Sequence, residues 1–199
     1  MSLLIESIRC QDGTFHNLVY HQRRVNHAFR SLFHSQPHNL TRLLESVQPP
    51  PTGCWKWRIE YDETSARTEL IPYKPRVVKR LLAVHDDAIS YPHKYRDRSD
   101  IDRWFRLRGI CDDILIIRNG EVTDTSIANI VFRRGRDWYT PLHPLLPGTQ
   151  RQALIDAGKI RPIVIRKEDI PSFESFRLIN AMIGFDGPEQ AVSNIVLHF

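Results

Sequence analysis

The sequence predicts an α+β fold made of two domains. Strand-like runs alternate with runs whose apolar residues recur at helical spacing, and no internal repeat connects them. Two strong turn dipeptides, an Asp-Gly at Asp12 and an Asn-Gly at Asn119, each follow an apolar run and predict hairpins. The segment HDDAISYPHKYRDR lies between these groups and is interpreted as a crossing segment. We therefore expect a small N-terminal α+β domain over residues 1–86 and a larger C-terminal domain over residues 87–199.

In the N-terminal domain, LLIESIRC and NLVYH flank the first turn, and both are expected to be extended. HQRRVNHAFRSLFH predicts a helix, because apolar residues share one face. These residues are Val25, Ala28, Phe29, Leu32 and Phe33. NLTRLLESV predicts a second short helix with Asn39 as its N-cap. Three further runs predict strands: CWKWRIEY, TELIPY and VVKRLLAV.

In the C-terminal domain, SDIDRWFRLRGI predicts a helix with Ser99 as its N-cap. DDILIIRNG and EVTDTSIANIVFRRG predict strands around the Asn-Gly turn, and DWYTPL predicts another. GTQRQALIDAGKI predicts a helix, and RPIVIRKEDI predicts a strand that leads into a short helix. The runs RLINAMIGF and AVSNIVLHF predict closing strands.

Length and composition limit the classes of function. The chain has 199 residues, of which 41% are hydrophobic, so a packed core is expected. The formal net charge of +5 fits a small anionic ligand as well as a nucleic acid. No apolar run approaches the roughly 18 residues of a membrane span, and MSLLIESIRC lacks the layout of a secretory signal. We expect no membrane partner.

Cysteine and histidine spacing argue against a disulfide framework and a metal site. Cys10, Cys54 and Cys111 are odd in number and far apart, which favours a reducing compartment, and we expect the cytoplasm. His34 and His38 have the spacing of a metal pair on a helix, but the proline between them would break that helix. No metal is expected.

Four features carry candidate chemistry when they are taken together. Lys94 lies in the crossing segment, and Asp124 lies in a turn-like VTD run before a strand. Gly148 precedes a helix N-terminus, and Arg23 and Arg24 open the first helix. Each has an ordinary explanation as a solvated cation, a turn carboxylate, a loop glycine or the polar face of a helix.

Together these features meet the needs of pyridoxal 5'-phosphate. Its aldehyde needs a lysine amine, and its ring nitrogen needs a carboxylate that keeps it protonated. Its phosphate is well served by backbone N–H groups at a helix N-terminus and by an arginine fork. All four kinds of group are present in the sequence.

The sequence also resembles the class IV aminotransferases, the fold-type IV pyridoxal-phosphate family. That family includes branched-chain and D-amino acid aminotransferases and 4-amino-4-deoxychorismate lyase. The resemblance runs through ESIRCQDG, YHQRRV, Lys94, EVTDTSIANIVF, LLPGTQR and INAMIGF. The most specific piece is the N-G-x-V-T-acidic run with a lysine about thirty residues before it.

The resemblance implies roles for individual residues. Lys94 is the Schiff-base lysine and the proton shuttle, and Arg24 holds the phosphate, with Arg23 as the alternative. Asp124 faces the pyridine nitrogen. The remaining cofactor-binding positions lie around the phosphate: Gly148, Thr149, Gln150, Asn180 and Ala181. The resemblance further implies a homodimer.

Three departures from the family pattern bear on function. The family usually has glutamate where Asp124 stands, and many relatives have a hydroxyl residue where Ala181 stands. The chain is also shorter than typical members, apparently in the first domain. Asp124 and Ala181 leave open a degenerate relative that binds the cofactor weakly or not at all.

The leading hypothesis is an aminotransferase that acts on an amino acid and a 2-keto acid. The same residues could serve a lyase that releases pyruvate from 4-amino-4-deoxychorismate and gives p-aminobenzoate. A hypothesis of another class is a basic nucleic-acid-binding protein, because RRVNHAFR and RWFRLRG interleave arginine with aromatic residues. Amphipathic helices explain these runs more simply, and we expect no nucleic-acid partner.

Overall fold

The computed structural model describes residues 3–197, which fall into two compact units. Unit 1 extends to Pro75 and also includes His93–Asp97; unit 2 consists of Arg76–Pro92 and the chain from Arg98 onward. This division differs from the boundary expected after residue 86, and it places Lys94 in unit 1. The reason is strand pairing, because the segment at 93–97 returns to the first strand of unit 1.

Within the described residues of unit 1, four strands form an antiparallel sheet in the order β2-β1-β3-β4. The strands are β1 (Leu4–Gln11), β2 (Thr14–Phe15), β3 (Cys54–Tyr61) and β4 (Ala66–Pro72). Helix α1 (Leu18–Ala28) continues as a π-helical turn at Phe29–Phe33, and α2 (Leu40–Leu44) follows. The expected N-cap of α2 is confirmed, since Asn39 accepts a hydrogen bond from the backbone N–H of Arg42.

The core of unit 1 lies between one face of this sheet and α1. Leu4 and Ile8 of β1 alternate inward, as a strand requires, and meet Val25 and Phe29 of the helix. The expected extended run NLVYH is wrong, because α1 already begins at Leu18. Asn17 has φ 56°, a left-handed conformation that asparagine tolerates, and it ends the hairpin there.

Within the described residues of unit 2, nine strands form one sheet. They are β5 (Leu81–His85), β6 (Asp113–Arg118), β7 (Glu121–Thr125), β8 (Asn129–Arg134), β9 (Asp137–Pro141), β10 (Arg161–Ile163), β11 (Ser175–Ile179), β12 (Gln190–Ala191) and β13 (Ile195–Val196). The main order is β10-β9-β8-β7-β6-β5-β13, and β11 pairs with β8 and β12.

The helices of unit 2 are short. Up to residue 197 they are α3 (Ser99–Arg106), α4 (Thr149–Asp156) and two 3₁₀ turns, Lys167–Ser172 and Val192–Asn194. No helix within residues 3–197 combines the length and the apolar character needed to cross a bilayer.

The core of unit 2 fixes the position of the β7–β8 turn. β6 is buried from Asp113 to Ile117, which is typical of a strand covered on both faces. Ile130 and Phe132 of β8 pack into the same core as Leu115 and Ile117. The short turn between β7 and β8 is therefore held on a packed frame.

Candidate active site

Lys94 is held against the first strand of unit 1 through its backbone. Its carbonyl accepts a hydrogen bond from the N–H of Ile5 at 2.9 Å, and Tyr95 forms an antiparallel bridge with Leu4. The N–H of Arg96 donates to the carbonyl of Leu3 at 2.8 Å. The Lys94 side chain is half-buried. Lys94 is therefore anchored on both sides instead of lying in a loose surface loop.

Arg24, the predicted phosphate ligand, belongs to a buried ionic cluster in the same unit. Its Nε donates to Oε1 of Glu6 at 2.8 Å, and its Nη2 donates to Oε2 at 2.5 Å. Nδ1 of His21 lies 2.6 Å from the same Oε2. Both Glu6 and His21 are fully buried. Sequence reasoning assigned no role to either residue.

The electrostatics of this cluster keep Glu6 ionised. Burial alone would raise the pKa of Glu6, but the charge and hydrogen bonds of Arg24, together with His21, outweigh it and lower that pKa to about 2. The pKa of His21 is lowered, chiefly by burial, with Arg24 and Lys94 adding to the effect and Glu6 opposing it. Neutral pH therefore gives a carboxylate beside a neutral imidazole.

Arg23, the alternative phosphate ligand, has a different environment. Its side chain is exposed, and its guanidinium lies over the ring of Tyr20 at 5.1 Å. Arg24 is fixed by a buried carboxylate, whereas Arg23 lies on the outer side of α1. Of the two arginines, Arg24 is therefore the one whose guanidinium is held in a fixed position.

Asp124 lies at the end of β7 in unit 2 and is buried. Its Oδ1 accepts a hydrogen bond from Nδ2 of Asn129 at 2.6 Å, and its Oδ2 accepts one from the N–H of Leu146 at 2.9 Å. Burial raises the pKa of Asp124 to about 6, although these donors and the charge of Arg151 oppose the shift. Any further N–H donor or cation near such a carboxyl group stabilises its ionised form.

Gly148 is required by contact with Asn129. Its backbone is extended, with φ −72° and ψ 143°, so no unusual dihedral demands a glycine. A Cβ at this position would lie 1.9 Å from Oδ1 of Asn129, far inside van der Waals contact. The glycine therefore lets the start of α4 approach the side chain that donates to Asp124.

The N-terminus of α4 begins at Thr149, which is buried, and continues through half-buried Gln150. The first-turn N–H groups of a helix have no carbonyl partner within the helix, and this turn contains no acidic residue. Such an end favours an anion. Buried Arg151, which sequence reasoning did not single out, donates from Nη2 to the carbonyl of Pro141 at 2.8 Å.

Asn180 closes a tight turn after β11. Its Oδ1 accepts hydrogen bonds from the N–H groups of Met182 and Ile183, both at 2.8 Å, and its Nδ2 donates to the carbonyl of Ile127 at 3.0 Å. Ala181 is half-buried within this turn. Because Ile127 belongs to the β7–β8 turn, unit 2 brings this turn close to the segment that follows Asp124.

The predicted site residues thus form two local groups. Lys94 and Arg24 share unit 1 with Glu6 and His21, while Asp124 shares unit 2 with the start of α4 and the Asn180 turn. One signal could have identified Glu6: it follows Leu4 by two residues on the apolar face of β1. His21 likewise lies at helical spacing from Val25 and Ala28 on the buried face of α1.

The arginine and aromatic residues of RWFRLRG make contacts inside unit 2. The guanidinium groups of Arg76 and Arg108 lie 4.8 and 3.9 Å from the ring centroid of Phe105. Trp104 donates from Nε1 to Oδ2 of Asp86 at 2.6 Å, and Arg103 pairs with the same oxygen at 3.1 Å. The residues that suggested nucleic-acid binding in this run are thus used in local packing.

Comparison with known proteins identifies several relatives. The family model described as amino-transferase class IV matches residues 93–185. An uncharacterized protein of Haemophilus influenzae is 38% identical over 184 residues, which cover 91% of this chain and 98% of that protein.

Among the solved structures that resemble the chain, two illustrate the range of similarity. A "putative 4-amino-4-deoxychorismate lyase" from Haemophilus somnus has a TM-score of 0.88 and 34% identity, over 93% of this chain and 98% of that one. A hypothetical aminotransferase from Mycobacterium tuberculosis, in its PLP-bound form, has a TM-score of 0.73 and 16% identity, over 91% of this chain and 78% of that one. The second likeness concerns the fold alone.

Proposed function

The chain belongs to the class IV aminotransferase family, and we propose that it is a pyridoxal-phosphate-dependent aminotransferase acting on an amino acid and a 2-keto acid. The observation that carries the proposal is the family match over residues 93–185, which contains Lys94 and Asp124. Each of these two residues lies in a local environment suited to its proposed task.

The residues present fit the cofactor. Arg24 is held by a fully buried carboxylate, and the first turn of α4, whose N–H groups favour an anion, contains no acidic residue. Asp124 lies out of solvent, where a protonated ring nitrogen would find a charge-assisted partner. These features meet the demands of a dianionic phosphate and of a pyridine nitrogen.

Lys94 supplies the amine in this proposal. The bound cofactor contributes an electron sink that acidifies the Cα–H of an amino acid. The Nζ of Lys94 then takes that proton and returns it, a task for which a half-buried amine fixed by its backbone is well suited.

Asp124 sustains the electron sink by accepting the ring N–H. A carboxylate has about four lone-pair sites, and the hydrogen bonds from Asn129 and Leu146 use two of them. A cationic donor would favour the ionised form and lower the pKa of Asp124 from about 6. Asn129 and the backbone of Leu146 hold the Asp124 carboxyl group in place.

In this proposal Arg24 would hold the phosphate through its guanidinium. The backbone N–H groups of Thr149 and Gln150 would also bind the phosphate, and Asn180 and Ala181 would supply further contacts to the cofactor. Gly148 contributes indirectly, because it allows α4 to begin close to Asn129.

A second candidate reaction is release of pyruvate from 4-amino-4-deoxychorismate. The name of the Haemophilus somnus structure, 34% identical over nearly the whole chain, supports it. The same lysine and carboxylate would serve both reactions, and the substrate decides between them.

Two measurements test the proposal. Purified protein incubated with pyridoxal phosphate should gain visible absorbance; Lys94→Ala should lose it, and Lys56→Ala in β3 of the same unit should retain it. An amino-donor panel with a 2-keto acid should then show amino-group exchange. Pyruvate formed from 4-amino-4-deoxychorismate without any keto acid would favour the lyase instead, and no absorbance change in wild type would reject both reactions.

We also propose a cytoplasmic homodimer. The cysteines in the described part of the chain are unbridged, which suits a reducing compartment. Large apolar side chains of unit 2, notably Leu107 and Ile110, are exposed and could be covered by a second copy. Light scattering on purified protein tests the dimer, and a monomeric mass across micromolar concentrations would contradict it.

A further inference from the structure

Glu6 is a fully buried carboxylate on the apolar face of β1. Burying a charge costs several kcal/mol unless it is well paired. Three N–H groups converge on it, the Nε and Nη2 of Arg24 and the Nδ1 of His21, at 2.8, 2.5 and 2.6 Å. Such a cluster between a strand and a helix fixes the orientation of both partners.

The geometry leaves one arrangement of protons on His21. Glu6 is ionised, because Arg24 and His21 lower its pKa to about 2, so its oxygens only accept hydrogen bonds. Nδ1 of His21 must therefore carry the proton. The imidazole is neutral, since burial and the charges of Arg24 and Lys94 lower its pKa. Nε2 is then an acceptor.

The same carboxylate selects an edge of the Arg24 guanidinium. Nε and Nη2 form the side-on fork, and both are directed at Glu6. The end-on fork, formed by Nη1 and the second hydrogen of Nη2, therefore points away from Glu6. A guanidinium held in this way presents a rigid pair of donors with matching geometry for a phosphate.

We propose that Glu6 is a positioning residue, which directs the end-on fork of Arg24 toward the phosphate of the cofactor and holds His21 in its Nδ1–H tautomer. This inference rests on the proposed function, because it takes Arg24 as the phosphate ligand. Glu6 itself touches neither substrate nor cofactor in this account.

If Glu6 served only to neutralise charge, Glu6→Gln would change anion affinity in the opposite direction. If Glu6 only neutralised Arg24, Glu6→Gln would leave an uncompensated buried cation, and anions would bind more tightly. If Glu6 positions Arg24, the same substitution weakens anion binding although it adds positive charge. The direction of the change separates the two roles.

The test uses full-length protein freed of cofactor, titrated calorimetrically with inorganic phosphate and separately with pyridoxal phosphate. Glu6→Gln should weaken both affinities by about tenfold or more, the scale at which supporting partners of a ligand act. Glu189→Gln is the matched control, because Glu189 in unit 2 also has a pKa lowered to about 2 and pairs with Arg133 and Arg177. It should leave both affinities unchanged.

The ¹⁵N spectrum of His21 gives a readout independent of ligand. In wild type, Nδ1 should be protonated and Nε2 should show the shift of an unprotonated ring nitrogen. Glu6→Gln should change this tautomer. An Nε2–H tautomer in wild type would overturn the inference.

If the Glu6→Gln protein does not fold, a second variant that keeps the positive charge at residue 24 allows the inference to be tested. Arg24→Lys retains a cation but cannot bridge both oxygens of Glu6, so phosphate affinity should fall by a similar factor. Unchanged or tighter phosphate binding in Glu6→Gln would overturn the inference while leaving the proposed function intact. Unchanged binding in Arg24→Lys would overturn the inference and also remove Arg24 as the phosphate ligand. Wild-type protein that binds neither phosphate nor pyridoxal phosphate would overturn both.

Discussion

Glu6 in unit 1 and Asp124 in unit 2 are both buried carboxyl groups, yet their pKa values move in opposite directions. Burial raises both, but Arg24 and His21 reverse the effect at Glu6 and bring its pKa to about 2. Asp124 receives an amide and backbone N–H groups, with the charge of Arg151 as a weaker influence, and its pKa rises to about 6. Burial therefore outweighs the partners at Asp124, whereas the partners outweigh burial at Glu6.

This difference separates two uses of a buried acid. Glu6 is already paired with the guanidinium of Arg24 through two hydrogen bonds, so its role is to orient that cation. Asp124 lacks such a partner and gains most when a protonated nitrogen arrives. On this account Glu6 serves to hold a cation in place, whereas Asp124 is an acid that a protonated nitrogen would stabilise in its ionised form.

The largest expected effect comes from removing the charge of Asp124. Asp124→Asn keeps the shape but cannot hold a protonated ring nitrogen, so turnover should fall by about a hundredfold or more, the scale of losing one preorganised charge contact. Cofactor should remain bound, in contrast to Glu6→Gln, which should lose affinity. Steady-state rates and cofactor titrations measure this contrast, and Asp124→Asn with unchanged turnover would remove Asp124 from the ring-nitrogen role.

The pH dependence of apo-protein stability should differ in sign between the two acids. The folded pKa of Asp124, about 6, lies above its ordinary 3.8, so the folded state binds the proton more tightly. Its contribution to stability is present at low pH and is lost as pH rises from about 4 to 6, by about 3 kcal/mol at most. Glu6, with a folded pKa of about 2 against 4.5, contributes stability above pH 4.5 that is lost as pH falls toward 2.

Hydrogen exchange at several pH values can follow the two acids separately, through amides of β7 and of β1. Asp124→Asn should flatten the change between pH 4 and 6 in β7 and leave the acid-side change in β1. If both segments lost protection only on acidification, the opposite shifts proposed for the two acids would be wrong.

A smaller effect is expected from Gly148→Ala, which tests the support of Asp124. The added Cβ would overlap Oδ1 of Asn129 and displace the side chain that donates to Asp124. Overpacking of this kind costs about 1–3 kcal/mol of unfolding free energy. Denaturant unfolding of Gly148→Ala, Asn129→Ala and the double variant measures the coupling, and additive losses would show that the contact is unimportant.

The smallest effect is expected at Arg23, the exposed neighbour of the buried Arg24–Glu6 pair. Arg23→Ala should change the unfolding free energy by no more than about 0.5 kcal/mol and leave pyridoxal-phosphate affinity unaltered. Arg24→Ala should weaken that affinity strongly. Loss of cofactor in Arg23→Ala alone would exchange the roles of the two arginines.

Local patterns predicted much of the fold. The strand CWKWRIEY is confirmed over Cys54–Tyr61, and the helical spacing of Val25, Ala28 and Phe29 is confirmed by their burial. These features depend on residues close in sequence. The predicted start of α1 was wrong, because the pattern of apolar residues does not indicate the left-handed conformation of Asn17.

The pairing of strands that are far apart in the sequence was not predicted. The run VVKRLLAV predicts a strand. Its local pattern does not indicate that Leu81–His85 pairs in parallel with β6 and so belongs to unit 2. The return of the Lys94 segment to β1 has the same origin. The candidate site shows the same limit: Lys94, Arg24 and Asp124 were chosen from sequence, whereas the Glu6–His21–Arg24 contacts join residues 15 and 18 positions apart.

Covalent mapping of the cofactor tests the central claim most directly. Wild-type protein loaded with pyridoxal phosphate, reduced with borohydride and digested should carry the added mass on the peptide that contains Lys94. The same treatment of Lys94→Ala should leave every peptide unmodified. Modification of another lysine, such as Lys56 or Lys79, or of none in the wild type would contradict the assignment of Lys94 and the function built on it.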